Sequence, residues 1–210
     1  MRGIRAWVVA AMLPMTAVAQ DLPPPDAGAY TIDPGHTRLI FRVSHLGFSN
    51  YTAFFTDVSA NLAFDPNAPE AMKVEAVVKA ASLETHYPDP ALDFNALLTG
   101  PEFLDAAQFP DIRFTSTAVV VTGPQEADVT GDFTLHGVTK PLTLKVRYNG
   151  GWGDMPMDVG ARIGFSAVGE IARSDFGIAY GLPAPGTTMG VGDRVEIILE
   201  TEFSKPRPAP

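Results

Sequence analysis

Residues 37–46 read TRLIFRVSHL, and apolar and polar side chains alternate along this stretch. One face would carry Leu39, Phe41, Val43 and His45, and the other Arg38, Arg42 and Ser44. Side chains of a β-strand point to opposite faces in turn. The alternation therefore predicts a strand with one face in an apolar interior and one face in water.

Similar alternation recurs along the chain, with Gly, Pro and Asp clusters between the runs. The other predicted strands are Tyr30 to Asp33 and residues 52–64, 72–80, 112–121, 128–135, 142–148, 159–173 and 193–203. About eight or nine one-sided strands must bury their apolar faces against each other, in a closed barrel or a two-sheet sandwich. Closure also removes exposed strand edges. We therefore expect an all-β fold, an antiparallel barrel.

Residues 89–107, DPALDFNALLTGPEFLDAA, break the alternation. Asp89-Pro90 is typical of a helix start, and Gly100-Pro101 of a helix end followed by a second short turn. We expect a short helical insertion at one end of the barrel. It would present four side chains to the interior: Leu97, Leu98, Phe103 and Leu104.

The first nineteen residues have the pattern of an export signal. Arg2 and Arg5 supply the positive end, residues 6–15 are apolar, and 17–19 are small. The apolar run is shorter than the roughly 20 residues that span a bilayer. We expect cleavage near Gln20 and a soluble mature protein. The expected organisation is a signal peptide at 1–19, a Pro-rich tether at 20–28, a barrel domain at 29–205 and a tail at 206–210.

Charge and cysteine content narrow the classes of partner. The chain has 15 Lys and Arg against 24 Asp and Glu, and loss of Arg2 and Arg5 would leave 13 against 24, a net charge of −11. This sign disfavours nucleic acids and anionic lipid surfaces, which bind clustered cations. With no cysteine, an exported protein must obtain its stability from burial rather than from disulfides.

No catalytic or metal-ligand motif is evident. There is no Gly-x-Ser-x-Gly sequence and no cysteine nucleophile. His36 and His45 are nine residues apart, too far along one extended strand to share a cation, and no zinc-like ligand spacing accompanies them. We therefore predict no metal site, with His36 in a structural turn and His45 as a hydrogen-bonding residue at the mouth of a pocket.

Four ordered segments resemble the YceI-like polyisoprenoid-binding family. They are GHTRLIFRVSHLGFS (35–49), GPEFLDAAQFPDIRFTST (100–117), GDFTLHGVTKPLTL (131–144) and the region from Gly164 to Phe176 that runs into SDFGI. The resemblance covers roughly residues 29 to 204. It implies a lipocalin-like, eight-stranded antiparallel β-barrel with a helical element. It also implies a long isoprenoid or other amphiphilic lipid in the lumen, and a periplasmic location.

Eight strands enclose a space that side chains can just fill or that can hold one slender ligand. The thirteen phenylalanines are compatible with either arrangement. With the family resemblance we expect a lined pocket. The predicted channel lining is Phe41, Val43, Phe54, Val58, Phe114, Phe133 and Phe165. The predicted mouth residues are His45, Phe48, Leu98 and Phe103.

The resulting hypothesis is a periplasmic binding or carrier protein, without a cofactor, for an isoprenoid, quinone-like or other amphiphilic lipid. One alternative is an enzyme that acts on a small hydrophobic substrate in the same pocket, with His45 as base. Another is a stress-related interaction module with a filled barrel. Transient membrane contact and a homodimer both remain open at this point.

Overall fold

Eleven antiparallel strands and one short α-helix make up the fold in a computed structural model that describes residues 22–155 and 160–206. The strands are β1 (Gly28–Ile32), β2 (Arg38–His45), β3 (Ser49–Phe55), β4 (Val58–Phe64), β5 (Lys73–Lys79), β6 (Leu83–Glu84), β7 (Asp111–Gly123), β8 (Glu126–Leu135), β9 (Val138–Trp152), β10 (Ala161–Ala172) and β11 (Val191–Lys205). The helix α1 is Phe94–Thr99, and 3-10 helices cover Pro34–His36, Pro69–Ala71, Ala80–Ser82 and Arg173–Phe176.

The strands close into a barrel in the order β1-β4-β5-β7-β8-β9-β10-β11, and β11 pairs back onto β1. At the closure, Thr31 pairs with Ser204 and Ile32 with Phe203. β2 continues the path of β1 along β11, and β3 pairs with β2 just as β4 pairs with β1. The expected eight-stranded antiparallel barrel is therefore confirmed, with its first two strands each broken into two segments.

Asp33 organises the break between β1 and β2. Its carboxylate accepts hydrogen bonds from the Gly35 amide at 2.9 Å and from Arg162 Nη1 at 2.7 Å, and lies 3.0 Å from His36 Nδ1. The Thr37 hydroxyl donates to the Asp33 carbonyl at 2.8 Å. His36 is thus a turn residue, as predicted. Hydrogen bonds from Arg162 and then His36 hold the pKa of the Asp33 carboxyl well below its usual range.

The predicted single strand at 52–64 is wrong. It is two strands, because the chain turns at Thr56 and Asp57, whose amides donate to the Ser82 carbonyl (3.0 Å) and hydroxyl (3.1 Å). The turn shifts the alternation by one residue, so inward positions are odd-numbered in β3 and even-numbered in β4. Phe54 therefore lies on the outer face, where its ring contacts that of His86 at 5.2 Å between centroids.

The helical insertion is shorter than predicted. The helix α1 begins at Phe94, and the Asp93 carboxylate caps it by accepting from the Ala96 amide at 2.9 Å. Asp89 instead forms a local turn, accepting from the Ala91 amide. The predicted end at Gly100 is confirmed. The Asn95 side chain joins the helix to the chain after β6 by accepting from the Thr85 amide and hydroxyl.

The two ends of the barrel differ. The helical end carries α1, the turn 46–48 and the loop 173–190. The tether end carries residues 22–27, which have no regular structure, the loop 65–72 and the turn between β7 and β8. There the Gly153 amide donates to the Pro23 carbonyl, and Lys205 Nζ donates to the Ala27 carbonyl. The predicted signal peptide lies outside the described residues. No helix among the described residues could span a bilayer.

Substitution of Asp33 by asparagine should remove a pH-dependent part of the stability. A carboxyl with a lowered folded-state pKa stabilises the fold above its unfolded pKa of about 3.9, and the contribution is lost as the pH falls towards the folded-state value. Denaturant unfolding of the wild type and of Asp33→Asn should therefore differ more at pH 7 than at pH 3. Asp132→Asn, at an exposed position on β8, is the control. An equal difference at both pH values would contradict this account.

Candidate functional site

The barrel encloses a cavity of about 1020 Å³. Its lining extends from Pro66 and Met72 at the tether end to Tyr180 and Gly181 at the helical end, so the cavity follows the barrel axis. The walls are largely apolar, with contributions from every barrel strand. Representative lining residues are Phe41, Phe55, Leu62, Val74, Phe114, Leu144, Phe165 and Leu199.

Small residues at inward positions keep this space open. Ala60, Ala76 and Ala167 line the cavity but reach only a short way into it. At Gly169 a Cβ atom would lie 2.6 Å from Leu144 Cδ2, and at Gly131 it would lie 2.6 Å from Phe114 Cζ. Both large side chains therefore lie along the wall, over a glycine of the neighbouring strand, instead of extending towards the axis.

Buried side chains pack into two separate clusters rather than one central core. One includes Phe114, Phe133 and Phe176, and the other includes Tyr30, Phe64 and Phe203. Phe41, Phe55 and Phe165 point inward yet are only partly buried. Inward rings with exposed surface mean that the side chains do not meet across the axis. The filled-barrel alternative therefore does not fit the structure.

Polar groups in the cavity wall mostly have partners within the wall. The Ser116 hydroxyl accepts from the Val74 amide at 2.9 Å, and the Thr201 hydroxyl donates to the Phe165 carbonyl at 3.2 Å. Tyr148 lies among aromatic rings, 5.4 Å from Phe165 between centroids. Burial raises the pKa of its phenol, which stays neutral at pH 7. The charged residues of the lining lie towards its two ends, Lys73 and Glu126 at the tether end and Arg113 and Arg173 towards the helical end. The middle of the cavity therefore suits an apolar chain.

Arg173 is the charged group buried beside the helical end, with 6% of its surface exposed. Its guanidinium donates to four backbone carbonyls, those of Ile178, Tyr180, Val191 and Gly192, at 2.8–3.1 Å. Burial lowers the pKa of this group, and nearby Asp193 opposes that shift. Arg173 thus fixes the loop that forms one side of the cavity opening.

Nine of the eleven predicted site residues line the cavity: Phe41, Val43, His45, Val58, Leu98, Phe103, Phe114, Phe133 and Phe165. Leu97 and Leu104 line it as well. One predicted position is wrong, because Phe54 lies on the outer face of β3. Phe48 is not part of the cavity wall; it projects from the turn 46–48 at the helical end, with 85% of its surface exposed. Ligand contact by the nine remains a prediction.

Several residues that line the cavity were not predicted from the sequence. Phe55 could not be placed without the turn at Thr56. Tyr148 and Leu199 lie on the inward faces of strands that the alternation did predict, and they could have been named from that signal. No pattern in the sequence indicated the buried position of Arg173, because its partners are backbone carbonyls from residues up to 19 positions away.

A cluster of acidic residues and histidine on the barrel wall does not need a metal ion. Ligand atoms of Asp33, His36 and Glu202 lie within 4.8 Å of one another. Arg162 Nη1 lies 2.7 Å from Asp33 and 3.4 Å from Glu202. The guanidinium thus supplies the positive charge that balances these carboxylates.

Residues 30–203 match the YceI-like domain family. A protein named "UPF0312 protein" from Pseudomonas savastanoi pv. phaseolicola is 39% identical over 168 residues, which cover 77% of this chain and 80% of the relative. A protein of the same name from Pseudomonas fluorescens is 39% identical over 158 residues, covering 72% and 77%.

Three solved structures are similar in fold. The Campylobacter jejuni YceI protein has a TM-score of 0.65 and 29% identity, covering 78% of this chain and 90% of its own. Burkholderia cenocepacia BcnA has a TM-score of 0.67 and 23% identity, covering 81% and 98%. A polyisoprenoid binding domain from Saccharophagus degradans, implicated in plant cell wall breakdown, has a TM-score of 0.60 and 14% identity, covering 84% and 98%.

Replacement of Arg173 by methionine should destabilise the fold and loosen the loop. The change would leave buried carbonyls without donors, at about 1–3 kcal/mol for each group that water cannot reach. We expect the free energy of unfolding to fall by about 3 kcal/mol or more, and hydrogen exchange to accelerate at amides in 178–192. Arg194→Met, which removes an exposed pair with Glu170, should cost less than about 1 kcal/mol. Equal effects of the two variants would refute the anchoring role.

Proposed function

The chain belongs to the YceI-like family, and we propose that it is a binding and carrier protein that holds one long apolar lipid, of isoprenoid or quinone type, in its lumen. The main support for this proposal is the continuous cavity of about 1020 Å³ with apolar walls. Its volume is at the upper end of the roughly 300–1000 Å³ typical of small-molecule sites. An elongated cavity of this kind suits a chain better than a compact molecule.

The distribution of charge supports an amphiphile with its polar group at one end. A charged or strongly polar head in the middle of the lumen would lose its hydration without gaining full hydrogen bonding. At the helical end, His45 and Ser49 line the cavity and are exposed to solvent. A head group that lies there could keep water contacts while the tail fills the lumen.

The free energies of lipid transfer from water and from a bilayer support a carrier rather than a protein that extracts lipid from membranes unaided. Burial of a methylene from water contributes about 0.8 kcal/mol, so a five-carbon prenyl unit contributes on the order of 3 kcal/mol. The same unit gains almost nothing on transfer from the equally apolar interior of a bilayer. Such a protein shields the lipid from water and exchanges it with membranes.

The Saccharophagus degradans neighbour, described as a polyisoprenoid binding domain, has the same fold and so agrees with this proposal. Catalysis is not favoured by the residues around the cavity. The His45 ring makes no hydrogen bond to another side chain in the part of the chain that the structure describes. A general base usually has such an orienting partner.

We also propose that the protein acts in the periplasm, on the basis of the signal pattern at residues 1–19. Expression of the whole chain in a bacterium with two membranes should yield a mature N-terminus near Gln20 in the periplasmic fraction. N-terminal sequencing after fractionation measures this. An intact Met1 in the cytoplasmic fraction would contradict the proposed location.

Filling the lumen should abolish lipid binding. Ala76 lies on β5 between Ala60 and Phe114 and faces the cavity, so Ala76→Phe places a ring near the axis. Titration with an apolar fluorescent dye should show at least tenfold weaker binding than in the wild type. The expected cost in stability is about 1–3 kcal/mol, which leaves the variant folded.

Val77→Phe is the matched control, since Val77 is the next residue on β5 and faces outward, opposite Ser59 and Arg113. It should bind dye as the wild type does. Ala167→Phe, on the opposite wall, provides a second test if Ala76→Phe fails to fold. Unchanged dye binding in folded lumen variants would overturn the proposal.

A further inference from the structure

Two chain segments meet at the helical end and form what we call the tip: the turn 46–48 and the loop 177–190. The Leu46 amide donates to the Gly190 carbonyl at 2.8 Å. A Cβ atom on Gly47 would lie 3.0 Å from Thr188 Cβ, so the turn packs closely against the loop. The Val191 amide donates to the Gly181 carbonyl at 2.8 Å, which closes the base of the loop. The tip is therefore one joined surface.

The tip exposes large apolar side chains. The exposed surface fraction is 85% for Phe48, 69% for Met189 and 56% for Tyr180. Phe48 follows Gly47 and Met189 follows Thr188, so these two side chains extend from positions next to residues that are in contact. Isolated exposed apolar residues are ordinary, but several together beside a cavity opening are typical of an interaction surface.

The tip also lacks charge, in a chain with a net charge of −9. Residues 176–192 contain no Asp, Glu, Lys or Arg, and neither do residues 43–56. The carboxylates that flank the loop already have partners: Asp193 accepts from the Ser174 hydroxyl at 2.9 Å, and Asp175 pairs with Lys140 at 2.9 Å. The tip can thus lose its hydration without burying an ionised group, which the acidic remainder of the surface cannot do.

The tip is continuous with the cavity. Tyr180 and Gly181 belong to the tip and also line the cavity. Tyr87, in the loop before α1, and Leu97, on α1, line the cavity at the same end. A lipid that left the lumen at this end would pass directly over these side chains. At the tether end the cavity lining includes the exposed charged residues Lys73 and Glu126, and near the helical end it includes Arg113, which pairs with Asp111.

We propose that the tip docks on the surface of a phospholipid bilayer, with Phe48, Met189 and Tyr180 inserted at the interface and the cavity opening facing the acyl chains. Aromatic and other apolar side chains partition to this depth of a membrane. Because the tip has neither cations nor anions, docking does not require anionic lipids and is insensitive to salt. The passage of a lipid through the opening rests on the proposed function. Docking itself does not, since it can be measured on protein with an empty lumen.

Flotation of the purified protein with phosphatidylcholine vesicles tests the docking. The wild type should float with the vesicles to the same extent at low salt and at roughly tenfold higher salt, because screening acts only on charged contacts. The double variant Phe48→Glu/Met189→Glu should show at least a fivefold lower bound fraction. Wild-type protein that stays unbound, or a double variant that binds equally well, would overturn the proposal.

The matched control is Val120→Glu/Val168→Glu, which adds the same charge at exposed apolar positions away from the tip, where 58% and 43% of the surface is exposed. It should float like the wild type. A thermal melt of each variant confirms that it is folded. Equal loss of binding in this control would mean that net charge, rather than the tip, governs binding, and would overturn the proposal.

Two further measurements distinguish bilayer docking from self-association and from lipid binding in the lumen. Sedimentation should show the same oligomeric state for the wild type and the tip variant, and dissociation of an oligomer by the tip variant would make the tip an interface between copies instead. Ala76→Phe should still dock although its lumen is filled. If Ala76→Phe docks and the purified wild type contains no lipid, the docking of the tip is upheld and the carrier function is refuted.

Discussion

The pairing of β1 with β11 closes the barrel and thereby sets the width of its interior. Eight strands closed in a ring fix a circumference, and that circumference leaves an interior just wide enough for side chains to fill or for one slender ligand. In this chain the inward alanines and glycines leave the interior open. The cavity is thus a consequence of barrel closure combined with small side chains, rather than of a dedicated loop.

One arginine stabilises the closure of the barrel, and another stabilises the loop beside the cavity opening. Arg162 binds Asp33 beside the junction of β1 and β11, and Arg173 binds four carbonyls beneath the loop at the helical end. With no disulfide, the protein relies on these polar contacts and on two apolar clusters at the wall. The clusters leave the axis free, so stability and an empty lumen are compatible.

Much of the fold can be predicted from the alternation of apolar and polar side chains alone, because each strand of the barrel has one face in the lumen and one face in water. The alternation placed Phe41 and Val43 correctly, along with Phe114 and Phe133. It failed at Phe54, since the side chain of Ser82 stabilises a turn that no local pattern reveals. Phe48, predicted at the mouth, lies at the helical end, where its place in a tight turn leaves its ring exposed and outside the cavity wall. The hydrogen bond from the Asp57 amide to Ser82 joins residues 25 positions apart, so no local pattern in the sequence predicts it.

Mass spectrometry of the organic extract from protein purified from its native host shows whether the lumen holds a lipid chain. We expect one long isoprenoid or similar lipid at close to one molecule for each protein molecule, and no such lipid in an extract of protein with a blocked lumen. Repeated extracts without any stoichiometric lipid, from folded protein, would contradict this expectation.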